Sequence, residues 1–197
     1  MTDRKRVVIV GAGFGGISTA KKLAGKEVEV VLIDRRNHHL FQPLLYQVAT
    51  ADLSPAEIAW PIRSIFSSYA NVSVFMGEVT GLDLAGRRVI AGDRDLGFDY
   101  LVIATGAVTS YFGNDHWAKV APGLKNITEA TDIRKRLLLA FEQAENSEDP
   151  DERRRLLNFI VVGGGPTGVE MAGAIAELAK QALSHDFRRI DPRDARI

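Results

Sequence analysis

Arg6-Val7-Val8-Ile9-Val10-Gly11-Ala12-Gly13-Phe14-Gly15-Gly16 is the stretch on which the reading of this chain turns. A run of β-branched apolar residues meets glycines in G-x-G-x-x-G spacing (Gly11, Gly13, Gly16), and a helical pattern follows at once. The physical reading is a buried strand that ends in a tight turn at Gly11. At Gly13 the backbone can approach a pyrophosphate, where a side chain would stand in the way. Gly16 lets the helix pack close to the strand. The N–H groups and partial positive charge of the helix start then serve the phosphates. At the end of the next apolar run, Val28–Ile33, sits Asp34, a carboxylate placed to take the ribose hydroxyls of an adenosine. A glycine-rich turn that binds nothing would not need this spacing and an acid as well. A dinucleotide site is therefore the expectation.

The same pattern returns near the other end. Leu157-Asn158-Phe159-Ile160-Val161-Val162 reads as a strand, followed by Gly163-Gly164-Gly165-Pro166-Thr167-Gly168. The glycines Gly163, Gly165 and Gly168 repeat the spacing, and Pro166 fits a first helical turn, where its missing N–H costs nothing. Val169, Ala172, Gly173, Ala176, Ala179 and Leu183 carry a helix whose small-residue face can pack close to a sheet. Two such fingerprints in one chain suggest two cofactors held face to face, and hydride transfer from a nicotinamide to a flavin is the economical reason.

Between them the chain alternates. The first helix stops at Gly25, and Val28–Ile33 completes a βαβ unit. Residues 35–51 read as a loop lining a ligand, mixing rings, amides and apolar residues. His38 and His39 are metal ligands or hydrogen-bonded histidines, and no third ligand lies nearby, which favours the latter. Ser54-Pro55-Ala56-Glu57 is a capping box opening a short helix that Pro61 ends or bends. Val72–Met76 is a strand. Glu78–Asp83 and Arg87–Ile90 form an antiparallel excursion about Gly86. Phe98–Ala104 reads as a long buried strand, with Thr105 and Gly106 at its carboxyl end, where ligands sit in open α/β sheets. Ile133, Leu137, Ala140, Phe141 and Ala144 mark an amphipathic helix, and Glu148–Arg155 a solvated connection. The fold class expected is α/β, a Rossmann-like domain with a parallel sheet and antiparallel excursion, followed by the start of a second Rossmann-like domain. The division expected is 1–116 and 117–197.

Composition narrows the function. The 197 residues are 46% hydrophobic, and Lys+Arg 25 balances Asp+Glu 25, so no global field favours nucleic acid or an anionic membrane. With Cys at 0, these residues hold no disulfide, thiolate metal site or cysteine nucleophile. Met1-Thr2-Asp3-Arg4-Lys5-Arg6 has no apolar signal core, and no run approaches the roughly 18 apolar residues of a spanning helix. A cytosolic or peripheral surface protein is expected. The chain stops after the charged segment His185–Arg196, where another strand is expected, so it reads as a fragment.

The two loops with Asp34 and Ala104-Thr105-Gly106 resemble the two-dinucleotide-binding flavoprotein superfamily. Within it, His38-His39-Leu40-Phe41-Gln42-Pro43-Leu44-Leu45-Tyr46-Gln47-Val48-Ala49-Thr50-Ala51, Leu53-Ser54-Pro55 and Glu57-Ile58-Ala59-Trp60-Pro61-Ile62-Arg63 resemble type II NADH dehydrogenase, as does Gly163–Glu170. The absence of cysteine agrees, since the disulfide and sulfide:quinone reductases of the superfamily need redox cysteines. The resemblance implies a single-subunit, non-proton-pumping NADH:quinone oxidoreductase. It would sit peripherally on the cytoplasmic side of the inner (plasma) membrane, bind FAD non-covalently and pass electrons to a membrane quinone; a homodimer is compatible with it. FAD would contact Gly11, Gly13, Phe14, Gly15, Gly16, Asp34 and Arg35, with Gln42, Pro43, Val79, Thr105 and Gly106 in addition. Gly163, Gly165, Pro166, Thr167 and Gly168 would hold the NADH pyrophosphate. Glu170 matches a glutamate near the nicotinamide–flavin stack, or simply favours the helix N-terminus. Two other readings stay open: a ferredoxin-reductase type with a protein acceptor, and, for this chain alone, a nucleotide-binding module without turnover. No metal is expected.

Overall fold

A computed structural model describes residues 4–197, so the expected absence of a signal core at Met1-Thr2-Asp3 lies outside the described residues. In chain order the elements are β1 (Lys5–Val10), α1 (Phe14–Leu23), β2 (Val28–Asp34), β3 (His38–Leu40), α2 (Leu45–Ala49), β4 (Ala59–Pro61), α3 (Ile62–Ile65), β5 (Val72–Met76), β6 (Val79–Asp83), β7 (Arg88–Ala91), β8 (Arg94–Gly97), β9 (Tyr100–Ile103), α4 (Ile127–Asn146), α5 (Pro150–Leu156) and α6 (Pro166–Glu177). They pack as two units. One takes the residues up to Leu40 with Ala59–Ala107, the other Phe41–Ile58 with Val108–Ile197. The expected division into 1–116 and 117–197 follows cofactors rather than packing.

The first unit is built on a parallel sheet in the order β5-β2-β1-β9. Val7 pairs with Val30 on one side and with Tyr100 on the other. A strand with neighbours on both edges and layers on both faces reads as an unbroken apolar run, as β1 does. Val7 and Ile9 face a cluster with Ile17 and Ala20 of α1 and with Ile62 and Phe66. Val8, Val31 and Ile33 face the opposite side, against Val89 and Ala91 of β7. The antiparallel sheet β6-β7-β8 therefore covers the face that α1 does not.

Several sequence expectations are corrected here. The strand over Phe98–Ala104 is shorter, Tyr100–Ile103, and Tyr100 and Ile103 are 60% and 65% exposed. It lies at the sheet edge with β1 as its strand partner; Val102 and Leu101 pack on the two cores while Tyr100 and Ile103 at its ends stay outside them. The stretch 35–51 is not a loop throughout. It carries β3, a 3₁₀ turn over Gln42–Leu44 and α2. The capping box forms, with the Glu57 carboxylate accepting the Ser54 N–H at 2.6 Å. It heads a 3₁₀ turn over Pro55–Glu57, not a helix, because β4 follows and pairs antiparallel with β3.

In the second unit Phe141, Ala144, Leu157 and Ala179 form the core, with Phe159, Phe187 and Ile190 packed on it. α2 packs against α4 and α6. The small-residue face of α6 was expected to meet a sheet, and instead the helix buries Met171 and Ile175 and leaves Gly173 in open space. It runs on into a π-helical stretch, Leu178–Ala182. Glu148–Arg155 is exposed except at a half-buried Arg153, as a solvated connection should be, but it is helical from Pro150 on. Asp149 caps α5 by accepting the Asp151 N–H, with Pro150 in the first turn. The expected strand over Leu157–Val162 does not form. A single parallel bridge joins Asn158 and Arg196, and Ile160 and Val162 stand 81% and 77% exposed. A parallel strand needs a neighbour on its edge, and the described residues supply one bridge's worth.

Candidate functional site

The two glycine loops are built alike. Gly11 and Gly163 adopt φ of 100° and 103°, the left-handed region that L side chains rarely enter. A Cβ on Gly16 would overlap the Gly11 carbonyl oxygen, and a Cβ on Gly168 would overlap that of Gly163. Both helices therefore start hard against the turn that precedes them. Gly13 and Gly165 are the N-caps of α1 and α6, both extended, with φ of −71° and −74° and no side-chain cap. Around each, nothing lies within 4 Å of where a Cβ would stand. The third glycine of each motif thus answers to packing, and the middle one to space left open above a helix start. Open space over uncapped first-turn N–H groups is what a diphosphate requires, so the residues present fit such a group at both loops. Beside the second loop lies an open cavity of ≈ 420 Å³, lined by Gly163, Gly164, Gly168 and Val169 among others.

In the first unit the end of β9 backs the loop. A Cβ on Gly11 would also overlap the Ala104 carbonyl oxygen, so Gly11 is glycine for close approach as well as for its φ. Asp34, at the end of β2, accepts the Ala12 N–H at 2.6 Å and the Arg36 N–H at 2.8 Å. Its carboxylate therefore braces the loop from below, a role that sequence reading alone did not assign to it. Phe14, Gly15 and Arg35 are exposed around it. Thr105 and Gly106 lie exposed beyond β9, Gly106 with a φ of 71°, and Val79 opens β6 opposite Ala91.

Among the described residues no group of three or more His, Cys, Asp or Glu side chains that could hold a metal forms around His38 and His39. His39 is 9% exposed and its Nδ1 lies 2.9 Å from the Ala12 carbonyl oxygen. Partial burial, helped by Arg36, holds His38 below the ordinary histidine value against the opposing pull of Asp34.

The remaining predicted residues lie in the second unit. Pro43 is in the 3₁₀ turn after β3, and Gln42 beside it donates from Nε2 to the Lys125 carbonyl oxygen at 3.4 Å. Pro166 and Thr167 open α6, and Glu170 is exposed one turn on. Among the described residues no helix is long and apolar enough to cross a membrane.

A family model described as pyridine nucleotide-disulphide oxidoreductase matches residues 5–191. The type II NADH:quinone oxidoreductase Ndh of Mycobacterium tuberculosis is 54% identical over 98% of this chain, which covers 43% of that protein. A mitochondrial external alternative NADH-ubiquinone oxidoreductase of Yarrowia lipolytica is 34% identical over 92% of the chain and 33% of the relative. Among solved structures, NDH2 from Plasmodium falciparum in complex with NADH superposes with a TM-score of 0.85 at 29% identity, over 93% of this chain and 39% of that one. The chain thus spans less than half the length of the relatives it matches. The resemblance drawn from the loops and from residues 38–63 is borne out, as is the α/β class with its parallel sheet. With the match running from β1 past the second glycine loop, and both loops built alike, the chain belongs to the pyridine nucleotide-disulphide oxidoreductase family.

Proposed function

We propose that the protein to which these residues belong is an FAD-dependent, non-proton-pumping NADH:quinone oxidoreductase. The observation that carries this reading is the pair of glycine loops of one geometry, each open above an uncapped helix start. Relatives at 54% and 50% identity, both type II NADH:quinone oxidoreductases of Mycobacterium tuberculosis, support it.

Residues 1–116 form the FAD part and 117–197 the beginning of the NADH part. Gly11, Gly13, Phe14, Gly15 and Gly16 receive the FAD diphosphate, while Asp34 and Arg35 meet the adenosine ribose. Gln42, Pro43, Val79, Thr105 and Gly106 complete the contacts. Gly163, Gly165, Pro166, Thr167 and Gly168 receive the NADH diphosphate. When bound, the flavin supplies a two-electron acceptor for hydride and a donor to quinone. The residues of this chain bind and orient, and Glu170 stands one turn above the second loop to meet the nicotinamide end. The protein rests on the cytoplasmic face of the inner membrane as a peripheral protein and associates as a homodimer.

Anaerobic addition of NADH to the purified flavoprotein tests this. The expected result is bleaching of flavin absorbance, restored by a soluble quinone analogue. No flavin, or flavin that NADH does not bleach, contradicts it, and recovery with ferredoxin but not with quinone favours a protein acceptor instead. For these 197 residues by themselves, the exposed Ile160 and Val162 favour a second reading, nucleotide binding without turnover. ADP binding with no NADH-dependent dye reduction would bear that out.

A further inference from the structure

His39 occupies a position that the glycine pattern does not explain. β3 pairs antiparallel with β4, Leu40 opposite Ala59 and His39 opposite Trp60. This pairing turns the His39 ring inward, where it is buried against the first glycine loop. Nδ1 stands 2.9 Å from the Ala12 carbonyl oxygen. A carbonyl can only accept, so Nδ1 carries the proton and donates. The Phe14 ring meets the imidazole edge-on, with centroids 5.3 Å apart.

The consequence follows from peptide geometry. In a trans peptide the C=O of one residue and the N–H of the next point in opposite directions, and no cis peptide is present among the described residues. Holding the Ala12 C=O therefore turns the Gly13 N–H to the side away from His39. That is the N–H of the N-cap residue whose own Cβ position is open space. The preceding peptide obeys the same rule. The Ala12 N–H is taken by Asp34 at 2.6 Å, and the Gly11 C=O is turned to the opposite side, where it lies against Gly16. Ala12, itself 2% exposed, is thus gripped at both its N–H and its C=O by side chains from two later strands.

We infer that His39 is a positioning residue for the first dinucleotide: through the Ala12 carbonyl it aims the Gly13 N–H at the diphosphate. This rests on the reading of Gly11–Gly16 as a diphosphate cradle. It predicts a loss of affinity confined to ligands that carry the phosphates.

Calorimetric titration of the flavin-free protein with ADP and with adenosine tests it. His39→Leu is expected to weaken ADP about tenfold, the scale of a hydrogen bond to a charged group, and adenosine by less than about twofold. Asparagine can place its amide nitrogen near the Nδ1 position and glutamine near Nε2. H39N is therefore expected to retain ADP affinity and H39Q to lose it about tenfold. The N/Q pair keeps the test decisive if H39L does not fold. ADP binding unchanged in H39L and H39Q, or ADP and adenosine weakened equally, overturns the role of His39. A wild-type protein that binds ADP no better than adenosine overturns the diphosphate reading itself.

Discussion

Gly13 and Gly16 sit three residues apart in one loop and answer to different demands, so one substitution at each separates binding from folding. A Cβ on Gly16 would overlap the Gly11 carbonyl oxygen, which is backbone and cannot move aside cheaply. Gly16→Ala is expected to lower stability by about 1–3 kcal/mol, seen as a fall in melting temperature. A Cβ on Gly13 meets nothing within 4 Å and its φ of −71° suits any residue. Gly13→Ala is expected to melt with the wild type yet bind FAD at least about tenfold more weakly, because the added methyl stands where the phosphate approaches. Equal loss of stability in both variants would contradict this division. Glu145 provides a test in pH. Partial burial pushes its carboxyl up, but the backbone N–H groups of Arg188, Arg189 and Ile190, with Arg189's charge, outweigh this and hold it below the ordinary glutamate value of 4.5. A depressed folded-state value means stability that is present above 4.5 and lost as pH falls through the folded value. Glu145→Gln is expected to flatten the acid limb of a melting-temperature profile; an unaltered limb would rule the contribution out.

At the scale of elements, end-capping chemistry decides what forms. Asn126 accepts the Glu129 N–H at 2.9 Å to start α4, and Asp149 accepts the Asp151 N–H at 2.9 Å to start α5. Asp149→Ala is expected to cost about 1 kcal/mol and to raise amide exchange within Pro150–Leu156; exchange left unchanged there would show that packing alone holds α5. The Asp149-Pro150 pair was legible as a helix start, yet the dense charge of 148–155 masked it. Residues 6–34 were read nearly as they fold, because the strand, turn, helix and acid are set by local sterics and an unbroken apolar run. The other regions misread are those whose state depends on a distant partner. β3 exists because β4 pairs with it, and Leu157–Val162 stays unpaired beyond the Asn158–Arg196 bridge despite high β propensity. At the candidate site the tight turn at Gly11 and the close packing at Gly16 were legible by spacing. The grip of Asp34 and His39 on Ala12 was not, since it depends on where two later strands end.

For the whole molecule, the proposed function requires two cradles of one design to serve two different dinucleotides. These residues contain no cysteine, although the family name carries a disulphide, so the proposed function leaves the chemistry to the bound groups and placement to the protein. The most direct measurement is calorimetric binding of FAD and of NADH to the flavin-free protein carrying Gly13→Val or Gly165→Val. The predicted result is a crossed pattern: Gly13→Val loses FAD and keeps NADH, while Gly165→Val loses NADH and keeps FAD. Binding of both ligands undiminished by either substitution would contradict the account.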